Sequence, residues 1–295
     1  MKCIVPKNSG FCFGVSLAVK AAYENAGNSA YMYGEVVHNP LVVNDLISRG
    51  LPLVNNLSEI STGNDAKILI RAHGVPKAVM EEVSSLGLDA IDKTCPKVKK
   101  IHDIVSEASN RGLDVIVVGK PNHPEVNGIM GWCSTRAFLF DTIEDAKAQV
   151  PDIVFSDNGI CMVSQTTHND KKYKDIHDYC SSVLNNIEFH DTICAATSDR
   201  QSEIRELAQS ADSVIVVGGK KSSNVTKLYE IASEYCDVVY HVENEKEIDV
   251  AKIGSLNIVV IASGASTPNE NVESVVTVIS EYCNRNNINF ELERR

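Results

Sequence analysis

The sequence predicts an α/β fold: three αβα domains with mainly parallel sheets, residues 1–95, 96–193 and 194–295, arranged with pseudo-threefold symmetry around a central cavity. Three observations carry this expectation. Residues 92–119, DKTCPKVKKIHDIVSEASNRGLDVIVVG, lie over residues 191–218, DTICAATSDRQSEIRELAQSADSVIVVG, without a gap at an offset of 99, and self-similarity of that length marks a duplicated structural unit. A shorter third copy starts at Cys12, with 22 residues from Cys12 to Gly34 against 24 from Cys95 to Gly119 and from Cys194 to Gly218. Short β-branched runs alternate with amphipathic helices throughout, the pattern of βαβ units on a parallel sheet.

Each copy is read in the same order. A cysteine stands at a helix start, with helical spacing over 15–25 in the first copy and 199–207 in the last. An apolar strand ending in glycine follows (YMYG, VIVVG, VIVVG), and four residues beyond each glycine stand His38, His123 and Ser222. Helices are expected over 41–48, 126–132 and 225–235, then a short strand with an acidic helix start: LPLVNNLSEI, FLFDTIEDAK and VVYHVENEKEI. The last strands, KILIRAHG, GICMVSQTTH and NIVVIASGAST, run into His73, Thr166 or Thr167, and Ser266. The tail ELERR reads as a plain charged end. Ligands bind beyond the carboxyl ends of parallel strands, where loops and helix N-termini collect, and every polar residue just named falls there.

Composition excludes several classes. With 43% hydrophobic and 23% charged residues the chain is expected to be globular and soluble, and no apolar run approaches the roughly 20 residues of a membrane span. Pro6 and Lys7 interrupt the apolar start too early for a signal peptide, so the expected location is cytoplasmic. A net charge of −11 argues against nucleic-acid binding, which needs a basic face. Nine cysteines, an odd count without a secretory signal, do not suggest a disulfide framework.

Cys12, Cys95 and Cys194 share one register at three helix starts, where unpaired N–H groups and the helix dipole favour a thiolate. Their spacing does not match the C-x2-C knuckles of structural zinc. A four-iron cube given three thiolates would leave one iron open; the competing reading is three ordinary buried thiols. Cys3, Cys133, Cys161, Cys180, Cys236 and Cys283 have no such coincidence and read as buried thiols. His38, His73 and His123 with Ser222, Ser223, Asn224 and Ser266 form a set of donors suited to a phosphate or diphosphate, in the absence of a Walker loop. His102, His168, His177, His190 and His241 have no partner in the repeat and read as surface or structural. Glu125, two residues from His123, is either a general acid whose proton is retained by its surroundings or a carboxylate favoured at a helix start.

The motifs GFCFG (10–14), EVVHN (35–39), AHG (72–74), TCP (94–96), HPE (123–125), QTT (165–167), DTIC (191–194), SSN (222–224) and GAS (264–266) together resemble the 4-hydroxy-3-methylbut-2-enyl diphosphate reductase family, the last step of the non-mevalonate isoprenoid pathway. The resemblance implies an oxidoreductase with a [4Fe-4S] cluster on Cys12, Cys95 and Cys194 at the centre of the three domains. It implies that His38, His73, His123, Ser222, Ser223, Asn224 and Ser266 hold the diphosphate, with Thr166, Glu125 and His123 serving the hydroxyl and its protonation. The products implied are isopentenyl and dimethylallyl diphosphates, the electron donor a ferredoxin or flavodoxin, and the chain a monomer. Leu17, Ser263 and the pair Ser198-Asp199 depart from the family pattern without touching a proposed ligand. Two rival readings are a metal-dependent phosphoester hydrolase using the three histidines, and an iron-sulfur sensor or carrier without catalytic activity.

Overall fold

In the computed structural model, residues 1–60 and 66–295 are described. The strands are β1 (Lys2–Val5), β2 (Ala30–Tyr33), β3 (Leu53–Val54), β4 (Lys67–Ile70), β5 (Asp89–Asp92), β6 (Asp114–Val118), β7 (Ala137–Phe140), β8 (Ile160–Ser164), β9 (Ile187–Phe189), β10 (Ser213–Val217), β11 (Val239–Val242), β12 (Ile258–Ser263) and β13 (Glu291–Arg294). They form three sheets in the orders β3-β2-β4-β5, β7-β6-β8-β9 and β11-β10-β12-β1-β13. All described pairings are parallel. The chain is therefore α/β, as the alternation of strands and helices predicts.

One compact unit, residues 16–37 and 42–194, contains the first two sheets. VIVV in β6 is buried on both faces because helices cover both sides. One face packs on Ile101, Val105 and Ile129 and the other on Phe140, Met162 and Ile176. The other unit, residues 1–15, 38–41 and 195–295, contains the third sheet. Its two cores lie around Ile215, Ile261 and Val275 and around Val216, Leu228 and Ile231.

Matching the three sheet orders shows one plan. The first strand of each set lies second, the third strand crosses beside it, and the fourth strand leads into a cysteine. In the third sheet that fourth place is taken by β1, which pairs with β12 through Lys2↔Ile258 and Cys3↔Val259. Residues 2–5 thus pair within the sheet of the last third of the chain and not with strands of residues 30–92, a correction to a first domain spanning 1–95. The first two sheets receive their fourth strand from the chain just before the next cysteine, and the third receives β1, which leads into Cys12. The tail also differs from expectation. ELERR is not a plain charged end but the edge strand β13, paired with β1 from Lys2↔Glu291 to Val5↔Arg294. Glu293 accepts an ion pair from Lys2 at 2.6 Å, and charged side chains on an edge strand discourage further pairing.

Helices begin earlier than periodicity suggested: Phe13–Asn25, Pro40–Ser48, Pro124–Gly131, Ala195–Ala208 and Ser223–Tyr235. The charged run from Asp199 is the second turn of its helix, because Ala195 and Ala196 extend it back to Cys194. No helix among the described residues is long and apolar enough to cross a membrane.

Candidate active site

The three cysteines share a local construction. Cys12 immediately precedes the helix Phe13–Asn25, Cys95 is the N-cap of Pro96–Asn110, and Cys194 immediately precedes Ala195–Ala208. Each backbone N–H donates to a carbonyl in the turn after a sheet's third strand: Cys12 to Ala265 at 3.2 Å, Cys95 to Ala72 at 3.0 Å and Cys194 to Thr166 at 3.0 Å. Asp92 and Asp191, paired by the internal repeat, make the same turn before their cysteines, accepting from Thr94 N at 2.9 Å and Ile193 N at 3.3 Å. The three thiols are partly exposed, whereas Cys3, Cys161, Cys180, Cys236 and Cys283 are buried. Burial pushes the thiols of Cys3 and Cys133 up to about 12 and that of Cys180 to about 11, which keeps them protonated. Cys161, Glu188 and His190 also lie close together. Arg111 is bonded to Glu188, and burial raises the Cys161 thiol to about 12, so this group reads as an ion pair over a core thiol.

In the unit that carries Cys95 and Cys194, the structure gathers His73, His123, Glu125 and Thr166. The rings of His73 and His123 meet edge to face with centroids 5.5 Å apart. His123 is the N-cap of Pro124–Gly131, its Nδ1 accepting from Glu125 N at 3.1 Å, and that bond leaves Nε2 as the protonated ring nitrogen. The Glu125 carboxyl is 1% exposed. Its Oε1 accepts from Thr166 N at 2.6 Å and its Oε2 from Thr166 Oγ1 at 3.0 Å. Burial raises this carboxyl to about 7, against the opposing pull of the two Thr166 donors. Thr166 thereby holds Glu125 through its N–H and hydroxyl and Cys194 through its carbonyl. Thr167, one residue on, occupies the slot equivalent to His73 and Ser266, and its hydroxyl accepts from Gln165 Nε2 at 2.9 Å.

In the unit that carries Cys12, the residues gathered are His38, Ser222, Ser223, Asn224 and Ser266. Ser222 caps the helix Ser223–Tyr235, and Ser266 Oγ donates to Ser222 Oγ at 3.0 Å. Asn39 Nδ2 donates to the Ser266 carbonyl at 3.4 Å, fixing the neighbour of His38. Gly219 permits this approach, since a Cβ there would stand 2.3 Å from the His38 carbonyl oxygen. Ser223 and Asn224 are 5% and 4% exposed. Among the described residues, neither Ser223 Oγ nor either polar atom of the Asn224 amide has a hydrogen-bond partner. Such orphans cost stability unless a ligand satisfies them. At the first turn of a 13-residue helix, the ligand favoured is an anion.

Two residues beside these groups have no assignment from the sequence: Gln165, whose Oε1 accepts from Lys120 N at 3.1 Å, and Arg200, 6% exposed on the helix after Cys194. Gln165 opens the QTT motif at 165–167, a signal visible in the sequence. Arg200 gave no signal, because arginines on charged helical runs are ordinarily solvated.

The chain matches the LytB protein family over residues 3–280. It is 40% identical over 279 residues to the 4-hydroxy-3-methylbut-2-enyl diphosphate reductase of Clostridioides difficile strain 630, covering 93% of this chain and 98% of that one. It is 36% identical over 285 residues to the enzyme of the same name from Thermoanaerobacter sp. strain X514, covering 95% and 96%. Among solved structures it resembles the E-1-hydroxy-2-methyl-but-2-enyl-4-diphosphate reductase of Plasmodium falciparum in fold, with a TM-score of 0.90 at 24% identity, over 99% of this chain and 92% of that one. A second, titled (E)-4-hydroxy-3-methyl-but-2-enyl diphosphate reductase, the terminal enzyme of the non-mevalonate pathway, gives a TM-score of 0.68 at 34% identity over 95% and 99%. Three parallel sheets, each leading into a cysteine at a helix start, define an α/β protein, and the relatives named as reductases place it among the oxidoreductases. Within that class, the chain belongs to the LytB family.

Proposed function

We propose that this chain reduces 4-hydroxy-3-methylbut-2-enyl diphosphate to isopentenyl and dimethylallyl diphosphates, with a [4Fe-4S] cluster held by Cys12, Cys95 and Cys194. The observation that carries the reading is the pairing of a buried, proton-retaining Glu125 with Thr166, the residue that also anchors Cys194. When bound, the cluster supplies two electrons from an external donor of ferredoxin or flavodoxin type and an open iron as Lewis acid. Ser222, Ser223, Asn224 and Ser266, with His38, His73 and His123, hold the diphosphate, and the unsatisfied Ser223 Oγ and Asn224 Nδ2 are the donors a phosphate oxygen would meet. Thr166 Oγ1 orients the substrate hydroxyl, and the Glu125 proton leaves with it as water. A second proton enters either end of the resulting allylic fragment, which gives the two products. His123 holds the Glu125 N–H through Nδ1, keeping the acid at the head of its helix.

A hydrolase would need carboxylates among the histidines as metal ligands, and Glu125 is already committed to Thr166. A sensor would leave Ser223 and Asn224 buried without purpose. Protein isolated under nitrogen should be brown and carry about four irons and four sulfides per chain; a colourless zinc protein would remove the cluster from the reading. Asn224→Ala should raise KM for the diphosphate about 10–100-fold, the loss of one hydrogen bond to a charged group. A loss confined to turnover at saturating substrate would take Asn224 out of the binding set.

A further inference from the structure

The loop that delivers Cys12 is longer than its two counterparts. Cys95 follows the end of β5 by three residues and Cys194 follows β9 by five, whereas Cys12 follows β1 by seven. Longer irregular segments need more bonds to fix a ligand, and this loop has them. Glu203 accepts from Lys7 N at 2.7 Å and from Asn8 N at 3.3 Å and Asn8 Nδ2 at 3.4 Å. Arg200, one turn earlier on the same helix, donates from Nη2 to the Gly10 carbonyl at 2.7 Å and from Nη1 to Ala196 O at 3.3 Å. Gly10 N donates to Ser263 Oγ at 2.8 Å. Gly10 itself has φ +81°, and a Cβ there would stand 1.8 Å from Asn269 Oδ1, so only glycine fits this turn of the loop.

We infer that Arg200 and Glu203 are positioning residues that fix the Cys12 loop for iron ligation. The internal repeat sharpens the point. At the offset of 99, Arg200 and Glu203 fall on Ile101 and Ile104 of the helix after Cys95. Ile101 is a core residue and Ile104 packs against that core. In a duplicated unit whose aspartate turn and cysteine anchor are otherwise reproduced, the helix after Cys194 replaces two apolar side chains with a cation and an anion. The anion takes amide donors and the cation takes a carbonyl acceptor, so each matches the backbone group it holds. A buried guanidinium is costly unless well bonded, which makes its place beneath a loop hard to explain by packing alone.

This inference rests on the proposed role of Cys12 as a ligand. The test uses cluster-loaded protein under nitrogen and measures the rate of iron loss to a chelator. Arg200→Met should lose iron about 10–100-fold faster than wild type, the size of effect expected when a ligand's supporting contact is removed. Arg200→Lys, whose ammonium can still reach the Gly10 carbonyl, should recover part of that loss, and Glu203→Gln should fall between. Val276→Ala, in a core of the same sheet, serves as a control for general destabilisation. If Arg200→Met and Glu203→Gln release iron no faster than this control, the inference is overturned; should Arg200→Met fail to fold, Arg200→Lys and Glu203→Gln decide the matter. Cys12→Ser separates the two claims. If it keeps its iron, the assignment of Cys12 fails; if it loses iron while the helix variants match the control, only the positioning role fails.

Discussion

Replacing Glu125 by Gln should lower turnover by about 10²–10⁴-fold with KM little changed. The substitution keeps the shape of the site. Gln Oε1 can accept from Thr166 N as Glu125 Oε1 does at 2.6 Å, and the Thr166 hydroxyl can turn to accept from the new amide in place of its 3.0 Å bond to Oε2. Thr166 therefore stays in place, and with it the carbonyl that anchors Cys194. What disappears is the transferable proton. Burial raises the Glu125 carboxyl from 4.5 to about 7, so it is protonated below that pH and ionised above it. Wild-type turnover should fall as pH rises through about 7, and the variant's residual rate should lack that limb. Stability follows the same sign. A carboxyl whose folded value is raised contributes stability that is complete below 4.5 and lost as pH climbs to about 7. The unfolding midpoint of wild type should accordingly drop relative to that of the Gln variant across this window, measured by thermal melts of the metal-free proteins. Turnover within tenfold of wild type, or an alkaline limb retained in the variant, would take Glu125 out of the proton-delivery step.

Much of this site could be read in the sequence because the chain repeats its own geometry. VIVVG at 115–119 and at 214–218 is apolar throughout, and its valines and isoleucine lie in central strands buried on both faces. The polar residues at strand ends were legible because parallel sheets put loops and helix starts there. Four features were not legible, each for a physical reason. KCIV at 2–5 carries no mark of which sheet it joins, since the pairing is decided by β12 more than 250 residues away. ELERR has the composition of a solvated tail, and it is a strand where it pairs with β1, with Lys2 set against Glu293. Arg200 sits on a charged run and is buried, because the carbonyl it holds belongs to Gly10 at the far end of the chain. Thr166 and Thr167 could not be told apart by spacing. The hydrogen bonds do so, since Glu125 and Cys194 both converge on Thr166.

Serine at Cys12, Cys95 or Cys194 should each abolish iron retention, taking bound iron from about four atoms per chain to below one and turnover down by at least about 10³-fold. The three positions should behave alike because they are built alike: a helix start, an N–H tied to the turn after a third strand, and a partly exposed thiol. A serine hydroxyl fits that space but does not ionise near neutral pH, so it cannot replace a thiolate. No other cysteine can stand in. Cys3 and Cys133 are held near 12 and Cys180 near 11 by burial, and moving any of them to a strand-end loop would mean unpacking a core. Cys236→Ser is the matched control. Its thiol lies 3.5 Å from the carbonyls of Ala211 and Val238, a place where a hydroxyl can donate equally well, so iron content and turnover should stay at the wild-type level. Iron and sulfide analysis beside turnover assays, all under nitrogen, reads both outcomes. If any one of the three serine variants keeps its full iron and its activity, the shared assignment fails for all three, since a cluster with one open iron has no thiolate to spare.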